Sequence, residues 1–259
     1  MITLLFIVFI FSLCWGSFLN VVAYRCITQK SFFEKRSTCN FCKNLIPWYD
    51  NIPIISWIIL KAQCRNCKKK ISWLYPLIEI LTAVIITALF FKVFNLDNTV
   101  ILSSQLTYSF ICYFIFFSSL IVAIRTDLQA LVIPQIFSIW MVPFGLICSY
   151  LNLIEISFKQ SLIGSILGYA SLLVVAKLFK FFAKKEGLGI GDMELLSMIG
   201  AFLGPLGVWF SITIGSLTGV IISGSYLFIS KKSTHTLIPF GPFLALGAIL
   251  YFFIQNFSF

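Results

Sequence analysis

Charge is what this chain has least of. Only 11% of its 259 residues are Asp, Glu, Lys or Arg, and the acids number nine. Soluble domains run near about a quarter charged, so this shortage, with a mean hydropathy of +0.99, excludes an ordinary soluble domain and indicates a polytopic membrane protein. Histidine is scarcer still. His235 stands alone in a short Lys-rich loop and reads as a solvated loop residue. A His-Glu-x-x-His motif is missing, which excludes that class of metalloprotease. No nucleophile elbow is present either, so a Ser-His-Asp triad has nothing to stand on. The sequence also lacks a Gly-x-Gly-x-x-Gly cofactor loop, a fixed-period repeat and a low-complexity linker. No charge precedes Arg25. The opening therefore has no basic n-region and no small-residue cleavage site, and 1–24 is expected to be a retained span rather than a cleaved signal.

What remains is apolar: 59% hydrophobic residues, 29 of the 259 being Phe. Apolar runs fall at roughly 1–24, 74–92, 100–124, 131–153, 160–182, 192–204, 206–229 and 237–256. A bilayer needs about 20 residues per helical crossing, so the expectation is an all-α polytopic membrane protein of about eight transmembrane helices. The stretch from Met193 to Ser230 is too long for one span, and Gly204-Pro205 is its natural break. The sixth element is then short and starts at Asp192, which suggests a cavity rather than plain lipid contact. Glycines crowd the later spans (Gly200, Gly204, Gly207, Gly215, Gly219, Gly224), where small residues let helices pack closely.

Lys and Arg set the orientation. With the amino terminus outside, inside loops hold 17 of the 19 cations: ten in 25–73, Arg125, four in 177–185, and Lys231 with Lys232, leaving Lys92 and Lys159 outside. This bias accounts for most of the net charge of +10, so nucleic acid is not needed to explain it. Both termini are expected on the non-cytoplasmic side. The organisation is a first helix at 1–24, a cytoplasmic insert at 25–73 and a membrane-embedded remainder at 74–259.

The insert carries two Cys-x-x-Cys knuckles, Cys39-Asn40-Phe41-Cys42 and Cys64-Arg65-Asn66-Cys67. Each pair supplies two adjacent ligands without strain, which suits tetrahedral zinc. A reducing cytoplasm disfavours disulfides there, and so small an insert gains from a metal that holds it together. Cys14, Cys26, Cys112 and Cys148 follow no pairing pattern and read as small apolar residues.

Two acids stand where long apolar runs meet short polar breaks: Asp127 in Ile124-Arg125-Thr126-Asp127-Leu128, and Asp192 in Gly189-Ile190-Gly191-Asp192-Met193. Singly, Asp127 could pair with Arg125 and Asp192 could cap a helix. Together, at the cytoplasmic ends of their elements, they suit catalysis. Two neighbouring carboxylates cannot both ionise, so they share a proton. One then takes a proton from water while the other, protonated, polarises a peptide carbonyl. Gly189 and Gly191 lack a Cβ and are expected to let a substrate backbone approach.

At these residues the chain resembles the type IV prepilin peptidases, relatives by motif of the Gly-x-Gly-Asp intramembrane aspartyl proteases. The resemblance runs through Gly16-Ser17-Phe18-Leu19-Asn20-Val21-Val22, Tyr24-Arg25, the four cysteines, Trp48-Tyr49-Asp50-Asn51-Ile52-Pro53, Ser56-Trp57, Tyr75-Pro76-Leu77 with Glu79, Ile133-Pro134, Gly189-Ile190-Gly191-Asp192 and Ile238-Pro239-Phe240-Gly241-Pro242-Phe243. It implies a bacterial inner-membrane enzyme. Such an enzyme cuts the basic leader from type IV prepilins or type II secretion pseudopilins at the cytoplasmic face, and then methylates the new amino terminus with S-adenosylmethionine. By that resemblance Asp127 and Asp192 are the catalytic aspartates, 74–259 is the peptidase domain, and the cysteines bind zinc. No residue is marked for S-adenosylmethionine.

Two departures stand out. Glu194 replaces the Lys of the family's Gly-x-Gly-Asp-x-Lys, and Gln135 follows Ile133-Pro134 where Asp or Asn is usual. If Glu194 points inward it raises carboxyl pKa values in the site, moving the activity optimum to higher pH than in a Glu194→Lys variant. Gln135 reads as a tolerated helix-start substitution. Glu79, in the second span, is either a structural partner for a cation or part of a methyl-transfer site. An ion-coupled transporter would want acids near midplane and inverted repeats. A non-catalytic assembly factor with a silent protease site is the reading that Glu194 motivates.

Overall fold

The computed structural model describes residues 2–29, 37–94, 103–184, 187–230 and 238–255, apart from the side chains at 183, 223 and 226–230. His235 and the cations Lys30, Lys35, Arg36, Lys185, Lys231 and Lys232 lie outside them. Among the described residues the chain is helical and forms no β-strand, and it divides into two units, Met1–Ser103 and Ser104–Phe259.

The first unit holds α1 (Ile2–Thr28), the short α2 (Ile55–Ile59) and α3 (Leu74–Phe94). Helix α1 runs four residues past the expected end of the first span, so Arg25 is still helical. It packs on α3 at Gly16, where a Cβ would stand 2.8 Å from the Glu79 backbone. Between them lies the cysteine insert, tethered to a helix at each end.

The second unit holds α4 (Ser104–Ala130), α5 (Met141–Tyr150), α6 (Phe158–Ala183), α7 (Ile190–Ser230) and α8 (Gly241–Ile254). Among the described residues, five helices are long and apolar enough to cross a membrane: Thr3–Thr28, Leu74–Phe94, Ser104–Ala130, Phe158–Phe182 and Ile190–Ile222. The multi-pass all-α architecture follows. The expected fourth and eighth spans come out shorter. Leu131 at φ 55° and Pro134 end the helical path before Gln135, leaving α5 with 10 residues. Helix α8 has 14, with proline in its first turn. At 1.5 Å per residue these rise about 15 and 21 Å, short of a core about 30 Å thick.

Helix α7 breaks where expected. Gly204 adopts φ 72°, ψ −174°, a conformation open to glycine, and Pro205 follows with no N–H to continue the ladder. The arm before the break packs on α6 through a seam of small residues. Gly164 and Gly200 lie backbone against backbone, and Gly168 faces the Leu196 carbonyl with no room for a Cβ. The Ser161 hydroxyl donates to the Ala201 carbonyl at 2.6 Å, and Ser197 donates to Ser165 at 2.9 Å. Lipid removes the hydrophobic drive between helices, so such close packing and hydrogen bonding must hold them. Helix α6 begins at a capping box formed by Ser157 and Gln160.

A ring cluster joins α4, α7 and α8: Phe116 stacks on Phe202 (4.6 Å), and Tyr113 and Phe117 meet Phe252 (4.7 and 5.0 Å). All five rings are fully buried. Cys112 and Cys148, which no spacing pairs, meet in this unit with their Sγ atoms 3.0 Å apart.

Candidate active site and metal centre

Asp127 stands within the last turn of α4, not in a loop after it. The apolar run ends at Ile124, but the helix continues to Ala130 because each polar group there finds a partner. Arg125, itself buried, donates to Gln129 Oε1 at 2.5 Å, and the Thr126 hydroxyl donates to the Ala123 carbonyl at 3.1 Å. Asp127 is buried, and its Oδ2 accepts the Gly241 backbone N–H at 2.9 Å. Gly241 is the first residue of α8, so this carboxylate satisfies one of the orphan donors at that helix's start. Gly241 escaped the reading of the sequence as a site residue. The signal was available in Phe240-Gly241-Pro242, because proline at a helix start marks a free N–H just before it.

Asp192 lies in the first turn of α7, with the Gly189 N–H bonded to its carboxylate. Ile133 brings the two aspartates together. Its side chain fills the space beside Gly191, where a Cβ would stand 3.0 Å from Ile133 Cβ, and beside Gly241, where it would stand 3.0 Å from Ile133 Cδ1. Asp127 and Asp192 thereby come close enough to interact electrostatically. The two glycines of the motif part company. Gly189 is exposed, with only the Asp192 carboxylate and the Gly191 N within ordinary contact of its Cβ position (3.5 and 4.0 Å), whereas Gly191 is packed against Ile133. Room for a substrate backbone therefore exists at Gly189 and not at Gly191.

Glu194 is buried, and its carboxylate is engaged: Oε1 accepts from Gln135 Nε2 at 3.1 Å and Oε2 from the Ser138 hydroxyl at 3.0 Å. Two helical residues are about 200° apart around the axis, so Glu194 does not share a face with Asp192. Tuning of the aspartates by an inward Glu194 does not follow from this placement.

In the first unit the four cysteines converge. The Sγ atoms of Cys39, Cys42, Cys64 and Cys67 all lie within 4.8 Å of one another, with Cys39 and Cys67 at 3.8 Å. A zinc tetrahedron with Zn–S near 2.3 Å has edges of about 3.8 Å, so the donor set fits that metal. The knuckles are built alike. Each is closed by a single antiparallel bridge, Thr38 to Leu45 and Gln63 to Lys70. Each turns through a lysine at positive φ, Lys43 at 59° and Lys68 at 57°. Burial raises the Cys39 thiol, but the N–H groups of Cys42 and Phe41 and the thiols of Cys64 and Cys42 outweigh it and bring it down to about 6. At Cys42 the Asn44 N–H lowers the value, yet desolvation and the neighbouring thiols carry it up to about 11. One thiol thus ionises readily, as a ligand must.

Asp50 clasps the second knuckle, its two oxygens accepting from Arg65 Nε (2.8 Å) and Nη2 (2.6 Å). These bonds hold the Asp50 carboxyl below its ordinary value. Glu79 is buried in α3, and its Oε2 accepts the Ile54 N–H at 2.8 Å while Ser17 also bonds to it. Ile54 sits at φ 61°, unfavourable for a β-branched residue. Glu79 therefore partners a strained backbone turn, with a peptide N–H and a hydroxyl rather than a cation.

Residues 10–93 match the model of the bacterial peptidase A24 N-terminal domain, and residues 114–224 match that of the type IV leader peptidase family. The type 4 prepilin-like proteins leader peptide-processing enzyme of Escherichia coli is 32% identical over 258 residues, covering 93% of this chain and 90% of the relative. The chain belongs to the type IV leader peptidase family. A prepilin leader peptidase/N-methyltransferase of Xanthomonas campestris is 34% identical over 215 residues, 82% of this chain and 69% of that one. One of Pseudomonas putida is 31% identical over 262 residues, 90% and 84% respectively. No solved structure matches. Asp127 and Asp192 both fall inside the segment matched by the type IV leader peptidase model, and all four cysteines fall inside the amino-terminal one.

Proposed function

We propose that this protein is a membrane aspartyl endopeptidase of the bacterial inner membrane. It removes the leader from type IV prepilins or type II secretion pseudopilins and methylates the amino terminus so exposed. The observation that carries the reading is the meeting of Asp127 and Asp192, from the end of one helix and the start of another, around Ile133. The cation distribution supports placing both at the cytoplasmic face with the termini opposite.

The prepilin's apolar segment enters among the spans while its basic leader stays in the cytoplasm. Its scissile peptide unwinds beside the exposed Gly189. One aspartate accepts a proton from the attacking water; the other, protonated, donates to the carbonyl oxygen, and no covalent intermediate forms. Asp127 is oriented for this by Gly241 N–H and Asp192 by Gly189 N–H.

Zinc fits the four thiolates of Cys39, Cys42, Cys64 and Cys67, where it would fasten the two knuckles to each other. S-adenosylmethionine would supply an electrophilic methyl group; it presents an adenine, a sulfonium cation and an amino-acid head. A cleft of about 410 Å³ in the second unit has Tyr169, Ser165 and Ser197 among apolar residues and offers no carboxylate. One of about 310 Å³ beside the cysteines is lined by Lys61, Arg65 and Lys68, a poor home for a sulfonium. Neither cleft suits the donor, and methyl transfer is assigned to no residue.

The test is a purified enzyme given a prepilin, with mass spectrometry of the mature amino terminus, which reports cleavage and methylation together. Asp127→Ala and Asp192→Ala should each lower cleavage at least about a hundredfold with membrane insertion intact. Full processing by either variant would remove the dyad from the mechanism.

A further inference from the structure

We infer that Glu194 is a positioning residue whose carboxylate ties the segment following Asp127 to the helix that carries Asp192. The inference rests on the peptidase reading of those two aspartates. Gln135 and Ser138 lie on the short link between α4 and α5, a 3-10 turn at Gln135–Phe137 and its end. Glu194 accepts from both at once, 3.1 and 3.0 Å. Gly191 and Glu194, three residues apart, share one face of α7, and both meet the link. Ile133 lies against Gly191, and Gln135 and Ser138 bond to Glu194. Ile133 also abuts Gly241, whose N–H holds Asp127. A continuous set of contacts therefore runs from Asp192 through its helix and the link to Asp127.

Burying a carboxylate is costly unless it is hydrogen-bonded, and here both oxygens are. Such charge-assisted bonds are stronger and more directional than apolar contact. Ile133 against Gly191 alone would let the link slide along α7. The two bonds fix its register, and with it the separation of the two aspartates. The two departures noted in the sequence, Gln135 and Glu194, are thus one contact, an acceptor on α7 facing a donor on the link. Reversing the pair, with a cation at 194 and a carboxylate at 135, preserves the tie.

The experiment measures kcat and KM for prepilin cleavage by the full chain in detergent, with thermal unfolding alongside. The variants are Glu194→Ala, Glu194→Gln, Glu194→Lys, Gln135→Met, and Gln135→Asp combined with Glu194→Lys. Glu194→Ala should lower kcat by about tenfold to a hundredfold, the cost of misplaced reacting groups, with KM changed less than about twofold. Glu194→Gln keeps one acceptor and should lose less. The combined reversal should recover most of what Glu194→Lys alone loses. Gln135→Met removes one donor at an exposed position and leaves the Ser138 bond to Glu194 in place, so it reports even if Glu194→Ala does not fold. A kcat unchanged in Gln135→Met and Glu194→Gln, a loss confined to KM, a kcat that merely tracks thermal stability, or a reversal no better than Glu194→Lys would each overturn the positioning role. A wild-type enzyme that leaves prepilin uncut sinks the peptidase reading instead.

Discussion

Adding one methyl group at Gly241 should slow cleavage about tenfold and leave the protein folded. An alanine Cβ there would stand 2.9 Å from Asp127 Oδ2 and 3.0 Å from Ile133 Cδ1, where ordinary contact starts at 3.4 Å. The carboxylate must retreat by about half an ångström, and it loses the 2.9 Å hydrogen bond from Gly241 N–H as it turns. A displacement of 1 Å in a catalytic group costs about a hundredfold, so half of that is about tenfold in kcat, or ~1.4 kcal/mol of barrier. Stability should change little. The crowded atoms are the tip of a short side chain and the end of an isoleucine, both of which rotate aside. The cost sits at the low end of overpacking, about 1 kcal/mol.

The assay is steady-state cleavage of a prepilin by purified Gly241→Ala enzyme, with its thermal midpoint measured in the same detergent. Gly219→Ala is the control, because a Cβ there would meet nothing nearer than Phe243 at 3.5 Å; it should cleave as the wild type does. The expected signature is a fall in kcat with KM and the midpoint nearly constant. A Gly241→Ala enzyme cleaving within twofold of wild type would refute the idea that Gly241 holds Asp127 in its working position. So would a loss of activity matched by an equal loss in Gly219→Ala.

Other outcomes follow from the same contacts. Elemental analysis of the purified chain should find one zinc per molecule, and Cys64→Ser should bind it far more weakly; wild type free of zinc after isolation without chelators would contradict the tetrahedral fit. Asp50→Asn breaks the paired bonds to Arg65 and should speed zinc loss to a chelator, followed with a colorimetric zinc dye. Asp50 has a lowered carboxyl pKa, so its contribution is fully present above the unfolded value of about 3.9 and fades as pH falls through the lower folded one. Zinc loss in wild type should thus stay insensitive to this group down to about pH 4. Gly200→Val forces a side chain into the Gly164 backbone and should lower stability by about 1–3 kcal/mol or more, read as a lower thermal midpoint; an unchanged midpoint would mean that α6 and α7 do not pack through that seam.

Much of this arrangement could be read before any coordinates. Long apolar runs report helices directly, and Gly204-Pro205 reports its break because only glycine tolerates that φ and proline ends the ladder. Paired Cys-x-x-Cys spacing reports its own convergence, since each knuckle is a local turn. What stayed hidden is what depends on distant partners. Helix α4 runs on past Ile124 because Gln129 and Gly241 satisfy groups that hydropathy counts as a polar break. The strain at Ile54 and its strap to Glu79 join residues 25 apart in the chain. Gln135 looked like a harmless substitution because its partner, Glu194, lies 59 residues on. A periodicity argument has no access to such pairs.

The short elements then take on a meaning that span-counting misses. A helix that crosses the bilayer completely leaves its unsatisfied N–H groups at the surface, in water. Helices α5 and α8 are too short for that, and α7 begins with its acid in the first turn. Helix N-termini carry partial positive charge and free donors, which favour an adjacent carboxylate. Asp127 takes the first N–H of α8, and Asp192 sits in the first turn of α7. A full-length span in place of α8 would carry its first N–H away from Asp127. The short α8 is therefore what lets a chain so poor in charge keep Asp127 buried at the end of α4 with a backbone donor from the next helix, near the half-buried Asp192 in the first turn of α7.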